Sequence, residues 1–204
     1  MGTEEPPNPG QDENIPMDFV AVDVETANRA PRSICQIGIA SFRGGRLASL
    51  WGSLIDPEDA FSPFNIGVHG IQAGHVAGSP SWSEIQGELR PRLAQRLLAS
   101  HTYFDLRAIV GANARYGVAG IPWAGWVDTC KIARIAWPSL PTYRLPHLAQ
   151  AFGISYQAHD AMEDARCAGE ILHRAIESSG LGQADLLRPR GRAVPRWGAA
   201  KQNG

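Results

Sequence analysis

From Met17 to Val24 the chain reads Met-Asp-Phe-Val-Ala-Val-Asp-Val, and β-forming residues that are apolar on both faces except at Asp18 and Asp23 predict a strand. Ser33 to Arg43 and Arg46 to Ile55 predict two more, and Gly44-Gly45 between them signals a hairpin, so these two pair antiparallel. Asp56 to Gly78, which contains several Pro, Gly and Phe residues, predicts a loop with one helical turn near Gly67 to Ala73. Ser81 to Leu89 predicts a helix, with Ser81 and Glu84 in capping-box spacing and Pro91 ending or kinking it. Leu97 to Ser100 fits a short buried strand. Tyr103 to Tyr116 carries apolar residues at helical spacing and is stopped by Gly117. Gly125 to Val127 predicts a last short strand. Three helices follow: from a cap at Asp128 to about Ala136, from Leu145 to Phe152, and from Asp160 to Ser178. Three strands and then alternating helices and short strands predict an α/β fold with a mixed sheet.

Composition adds bounds. The 204 residues suit one domain of ordinary size, and a hydrophobic content of 44% with 19% charged residues is a globular balance. No apolar run is long enough to span a bilayer, and the first residues form neither a signal nor a transit peptide, so the expected compartment is the cytoplasm. Cys35, Cys130 and Cys167 are odd in number and far apart, which argues against a disulfide framework and against a thiolate zinc site. Residues 1–16 hold Glu4, Glu5, Asp12 and Glu13 and no base, and are expected to be a disordered acidic segment. Residues 17–180 would be the folded domain. Residues 181–204, with Arg188, Arg190, Arg192, Arg196 and Lys201, would be a flexible basic tail able to add non-specific phosphate affinity.

Candidate chemistry is organised around Ala158-His159-Asp160-Ala161-Met162-Glu163-Asp164-Ala165. Asp160 and Glu163 have capping-box spacing, which makes Asp160 the N-cap and sets His159 and Asp164 at the N′ and N4 positions. An apolar staple usually joins those two positions; here they carry an imidazole and a carboxylate. Asp23 and Glu25, two apart on a strand, leave the same face with Cα atoms about 6.5 Å apart. Such a pair repels unless something cationic sits between them. Asp105 opens the helix that follows the Leu97 strand. Asp23, Glu25, Asp105 and Asp164 each stand at an element end that could meet at one sheet edge. An all-oxygen set favours a hard cation, Mg²⁺ or Mn²⁺, and four acids can hold two such ions about 3.5–4 Å apart, clamping the attacking and leaving oxygens of a phosphodiester. His159 is suited to accept a proton at neutral pH. A glycosidase using Asp23 and Glu25 as its carboxylate pair would leave His159 and Asp164 without a role.

Val22-Asp23-Val24-Glu25-Thr26, Ser100-His101-Thr102-Tyr103-Phe104-Asp105 and His159-Asp160-Ala161-Met162-Glu163-Asp164-Ala165 resemble, in order and spacing, the three motifs of the DEDDh group of 3′-to-5′ exonucleases, which includes the proofreading epsilon subunit of bacterial DNA polymerase III. Ser33 to Gly38 is similar to that family's second strand, and His69-Gly70-Ile71 to its substrate-contacting loop. The resemblance implies an RNase H-like fold, a mixed sheet of about five strands flanked by helices. It implies Asp23, Glu25, Asp105 and Asp164 as ligands of two Mg²⁺ or Mn²⁺ ions, and His159 as general base. Thr26 and Ile71 would lie near the terminal nucleotide, with His69 a further contact and Phe104 a candidate for stacking on a base. The second motif departs from the family's commoner Asn-before-aromatic form by carrying His101-Thr102. The implied activity releases nucleoside monophosphates from single-stranded or frayed DNA 3′ ends, with a polymerase or repair partner and no membrane. RNA stays open as a substrate, since no group that reads a 2′-hydroxyl is identified. A nuclease fold kept as a non-catalytic binding subunit is the rival from a different class, and it has no need of four convergent acids.

Overall fold

The computed structural model describes residues 17–182 and 185–186. The expected acidic head, and the tail beyond Leu186, lie outside the described residues.

Five strands form one mixed sheet: β1 (Phe19–Thr26), β2 (Ile34–Arg43), β3 (Arg46–Leu54), β4 (Leu97–Ser100) and β5 (Gly125–Asp128), in the spatial order β3-β2-β1-β4-β5. Consecutive β1, β2 and β3 pair antiparallel, the β2–β3 turn falling at Gly44-Gly45, while β1, β4 and β5 run parallel. The helices are α1 (Pro63–His69), α2 (Ala73–Val76), α3 (Gln86–Leu93), α4 (Phe104–Tyr116), α5 (Thr129–Ala136), α6 (Leu145–Ala151) and α7 (Ala161–Ser179). This is the five-stranded, helix-flanked architecture that the sequence predicts.

The period of two along β1 sorts its residues onto two faces. Val20, Val22 and Val24 join Ile37 and Ile39 in a core closed by Leu89 and Leu93 of α3 and by Ala108, Ile109 and Ala112 of α4. Phe19 and Ala21 join Ala40 and Phe42 on the other face, beneath Ala165, Leu172, Ala175 and Ile176 of α7 and Ile132 of α5. Asp23 and Glu25 continue the second series. They therefore emerge on the α7 side, at the end of the strand where the apolar cover stops.

Local expectations change in several places. The stretch from Asp56 to Gly78, expected as a loop with one helical turn near Gly67 to Ala73, instead holds α1 and α2, with Gly70 ending the first. Helix α3 starts later than Ser81 and runs through Pro91 to Leu93. The Ser81–Glu84 signal is realised as a closed turn in which Glu84 accepts from the Ser81 backbone N–H and hydroxyl at 2.7 and 2.8 Å. Pro91 does not end the helix, because Leu89 and Leu93 on either side of it are both fully covered by the core, and that burial outweighs one missing backbone hydrogen bond. The packed body also extends past residue 180: Leu186 is buried in the α7-side core. Among the described residues no helix is long and apolar enough to cross a membrane.

Candidate active site

The parallel strands β1 and β4 end at the same edge of the sheet, and the chain leaves it there in opposite directions, into β2 on one side and α4 on the other. A crevice at the carboxyl ends of parallel strands is where such sheets take ligands. The β1–β4 ladder stops at Ala21–Ala99, so the Val24 N–H has no strand partner on that side. Asp105, in the first turn of α4 and only 4% exposed, fills the gap: its Oδ1 accepts from Val24 N at 3.1 Å. One oxygen of Asp105 thereby ties α4 to β1, and its charge stands near enough to Asp23 and Glu25 to raise the pKa of both.

Asp164 arrives from the opposite side on the first turn of α7. Its approach depends on Gly38, which pairs with Asp23 across β1 and β2. A Cβ on Gly38 would lie 2.0 Å from the Ala161 carbonyl oxygen and 2.3 Å from the Met162 nitrogen. The start of α7 rests on bare backbone at that point. Gln36, opposite Glu25, fastens the same turn: its Oε1 accepts from Ala161 N at 3.2 Å, and its Nε2 donates to Asp160 Oδ2 at 3.4 Å. Asp160 caps α7 by accepting from the Met162 and Glu163 N–H groups, both at 3.1 Å. The reciprocal half of the capping box is absent. Glu163 instead pairs with Arg166 at 2.7 Å, and that guanidinium also donates to the Ser155 carbonyl at 2.6 Å, pinning the loop that leads to His159.

His159 occupies the left-handed region at φ +66°, rare for a residue with a Cβ. The turn brings its backbone N–H to Asp164 Oδ2 at 2.7 Å. The N′–N4 contact expected from the sequence is therefore made by backbone and carboxylate, which leaves the exposed imidazole free to face the crevice. One ring nitrogen of His159 and one oxygen each of Glu25 and Asp164 lie within 4.8 Å of one another.

Crowding of like charges dominates the electrostatics. Burial, then the charges of Asp164, Asp105 and Asp160, push Glu25 up to about 8. Burial lifts Asp105 to about 7 and Asp164 to about 6, opposed in each case by the backbone N–H groups they accept from. Asp23 is driven well above the carboxylate range by burial and by Asp105, Asp164 and Glu25. Among the described residues no Lys or Arg forms an ion pair with any of the four. Four converging carboxylates without a cationic side chain fit a divalent cation with oxygen ligands.

The remaining candidates divide. Thr26 is buried, and its Oγ1 and carbonyl oxygen accept from Asn65 Nδ2 at 3.2 and 2.8 Å. Its carbonyl also accepts from His69 Nε2 at 3.1 Å, while His69 Nδ1 accepts from Ile71 N at 3.0 Å. Both ring nitrogens of His69 are thus spent on the fold, in the neutral tautomer protonated at Nε2, and burial followed by the nearby His159 lowers its pKa. Ile71 is 7% exposed and packs with Ala27, Cys35 and Val76. Phe104 is half-buried against the α4-side core. His101 has a structural part: its ring bonds Thr129 Oγ1 at 3.1 Å and the Tyr143 carbonyl at 2.8 Å. Sequence reasoning missed Gln36, Asn65 and the packing role of Gly38, whose importance lies in contacts between distant segments.

A model of the exonuclease family matches residues 20–172. The chain belongs to that family. The exonuclease domain is 27% identical over 167 residues to the 3′-5′ exonuclease DinG of Staphylococcus aureus, a match covering 78% of this chain and 18% of that protein, so the chain spans under a fifth of the length of this relative. Among solved structures it resembles Exonuclease X in complex with 5′ overhanging duplex DNA, with a TM-score of 0.68 and 19% identity over 83% of this chain and 97% of that one. It also resembles the nuclease domain of 3′hExo, a DEDDh family member, bound to rAMP, with a TM-score of 0.66 and 15% identity over 83% and 94% of the two chains. These structural likenesses establish the same fold.

Proposed function

We propose that the domain is a divalent-metal-dependent 3′-to-5′ exonuclease that releases nucleoside monophosphates from DNA 3′ ends, with RNA 3′ ends the alternative substrate. The observation that carries the reading is the meeting of Asp23, Glu25, Asp105 and Asp164 from three separate elements around one crevice, with the His159 ring beside two of them. The direction of attack is that of the relative, a 3′-5′ exonuclease. Asp23, Glu25, Asp105 and Asp164 would hold two Mg²⁺ or Mn²⁺ ions. When bound, the metal pair supplies Lewis-acid stabilisation of both the attacking and the leaving oxygen. His159, on an exposed turn, would take the proton of the attacking water and pass it to solvent. Asp164 accepts the His159 backbone N–H and so would set the position of that base as well as its own. Thr26 and Ile71 would border the terminal nucleotide through backbone held by Asn65 and His69, and Phe104 would contact its base. Any polymerase or repair partner, and work in the cytoplasm, belong to the same proposal.

The test is degradation of a 5′-labelled single-stranded DNA and the matching RNA with Mg²⁺, with Mn²⁺ and with chelator, by the wild type and by His159→Ala. A metal-dependent ladder shortening from the 3′ end and lost in the variant is the expected result, and the faster polymer names the substrate. Folded protein that cuts neither polymer with either metal would refute the assignment.

A further inference from the structure

The exonuclease reading leaves one side of the crevice without a use. The sequence from Thr129 to His159 contains Lys131, Arg134 and Arg144 and no acid, next to a site made of acids. Lys131 and Arg134 are three residues apart on α5, so they project from one face, and both are exposed. Each lies over an aromatic ring: Lys131 Nζ is 4.4 Å from the centre of Tyr103, and Arg134 Cζ is 4.6 Å from the centre of Tyr143. Tyr103 is the residue before α4, two positions ahead of Asp105, so the strip begins at the crevice. Tyr143 is fixed at the far end. Its carbonyl bonds the half-buried His101 ring, and its hydroxyl donates to the Trp137 carbonyl at 2.6 Å. The nearest opposing charge, Asp128, is almost buried, accepts from Lys131 N at 3.0 Å and meets Lys131 Nζ only at 3.8 Å. Both cations are thus held in place from behind by aromatic faces and stay open to solvent in front.

We propose that Lys131 and Arg134, backed by Tyr103 and Tyr143, form a track for the phosphodiester backbone of the substrate strand as it leads away from the site. The proposal rests on the nuclease reading for its direction. A strand whose 3′ end sits among four carboxylates has its next phosphates close to negative charge, and the strip is the cationic surface that adjoins the Asp105 helix. Rings behind the cations hold them in an extended orientation, so less side-chain freedom is lost when phosphate binds. Neither cation reads a base, so the track serves any sequence.

The test uses full-length protein carrying Lys131→Met with Arg134→Gln, which keeps the stems on the rings and removes the charge. Efficiency on a single-stranded 16-mer is measured against a dinucleotide, which has no phosphate beyond the scissile one to reach the strip. The expected result is a 16-mer to dinucleotide ratio of kcat/KM lowered about tenfold, carried by KM, with the slope of log affinity against log salt flattened by about 1.4 for two lost phosphate contacts. Lys131→Arg with Arg134→Lys restores both. An unchanged ratio and slope would overturn the proposal, as would equal loss on both substrates. A recessed-end duplex that is affected while the single strand is not would overturn the assignment to the cleaved strand. Fluorescence anisotropy of a labelled 16-mer in chelator gives the same slope without turnover. It decides the track even if the wild type cuts nothing, an outcome that would sink the nuclease reading alone.

Discussion

Replacing Gly38 by alanine adds one methyl group at the place where the sheet and α7 touch. The new Cβ would stand 2.0 Å from the Ala161 carbonyl oxygen, 2.1 Å from its carbon and 2.3 Å from the Met162 nitrogen, whereas ordinary contact begins at 3.4 Å. All three atoms are backbone, in a turn tied down by the Asp160 cap and by Gln36, so no rotamer change relieves the clash. The first turn of α7 must lift by more than an ångström, and Asp164 and His159 move with it. Overpacking of this kind costs about 1–3 kcal/mol in stability, which the fold can survive. The site is less tolerant. Metal–ligand distances hold to about ±0.2 Å, and a misplacement of about 1 Å can cost 10²-fold in rate. Gly38→Ala is therefore expected to fold, with a lower Tm, and to lose about 10²-fold or more of its Mg²⁺-dependent kcat on a labelled oligonucleotide, with weakened Mn²⁺ binding in calorimetry. Gly169→Ala is the control: its Cβ meets the tip of the Phe42 ring at 2.1 Å, further along α7 and remote from the cap, so it tests stability without displacing the first turn. If Gly38→Ala binds Mn²⁺ and degrades DNA like the wild type, α7 is not held in place by that glycine and the account of how Asp164 reaches Asp23 is wrong.

Three further outcomes follow from the geometry. Glu25, Asp105 and Asp164 have folded-state pKa values raised to about 8, 7 and 6, so their contribution to metal-free stability is complete in acid and is lost as pH rises through those values. A divalent cation should oppose this: Mg²⁺ at 100 times its Kd adds about 2.7 kcal/mol, roughly 5–10 °C in Tm for a domain of this size, at pH 8, and clearly less at pH 5.5 where protons compete. Equal thermal shifts at the two pH values would contradict the carboxylate site. His159→Gly should raise stability by up to about 1 kcal/mol by relieving the φ of +66° while abolishing cleavage, and His159→Ala should abolish cleavage without that gain; urea titrations beside the cleavage assay separate the two, and no difference in stability would deny the strain. His101→Ala removes two half-buried hydrogen bonds and should cost roughly 2–3 kcal/mol in urea unfolding, whereas a loss under 0.5 kcal/mol, on the order of an ordinary surface change, would deny its structural part.

Much was legible in one dimension because it depends on local spacing. The alternation through Phe19, Ala21, Asp23 and Glu25 states that the two acids share the face of the apolar pair, and the hairpin at Gly44-Gly45 states how β2 meets β3. Asp160 caps α7 as its position predicts, since a cap needs only the backbone of its own next turn. The order and spacing of the three motifs were enough to indicate the family. Local spacing failed where tertiary contacts compete with it. Glu163 forgoes its half of the capping box for Arg166, Pro91 stays inside α3 under the burial of its leucine neighbours, and His69 spends both nitrogens on backbone. Tertiary structure alone decided that Asp105 replaces a missing strand partner of Val24, that Gly38 is bare so that α7 can close on β2, and that Lys131 and Arg134 rest on rings from two other segments. Each of these is a contact between residues far apart in the chain. A sequence announces its short-range periods, which are geometry, but not which distant backbone or side chain completes a polar group's partners, because packing selects among several that fit equally well.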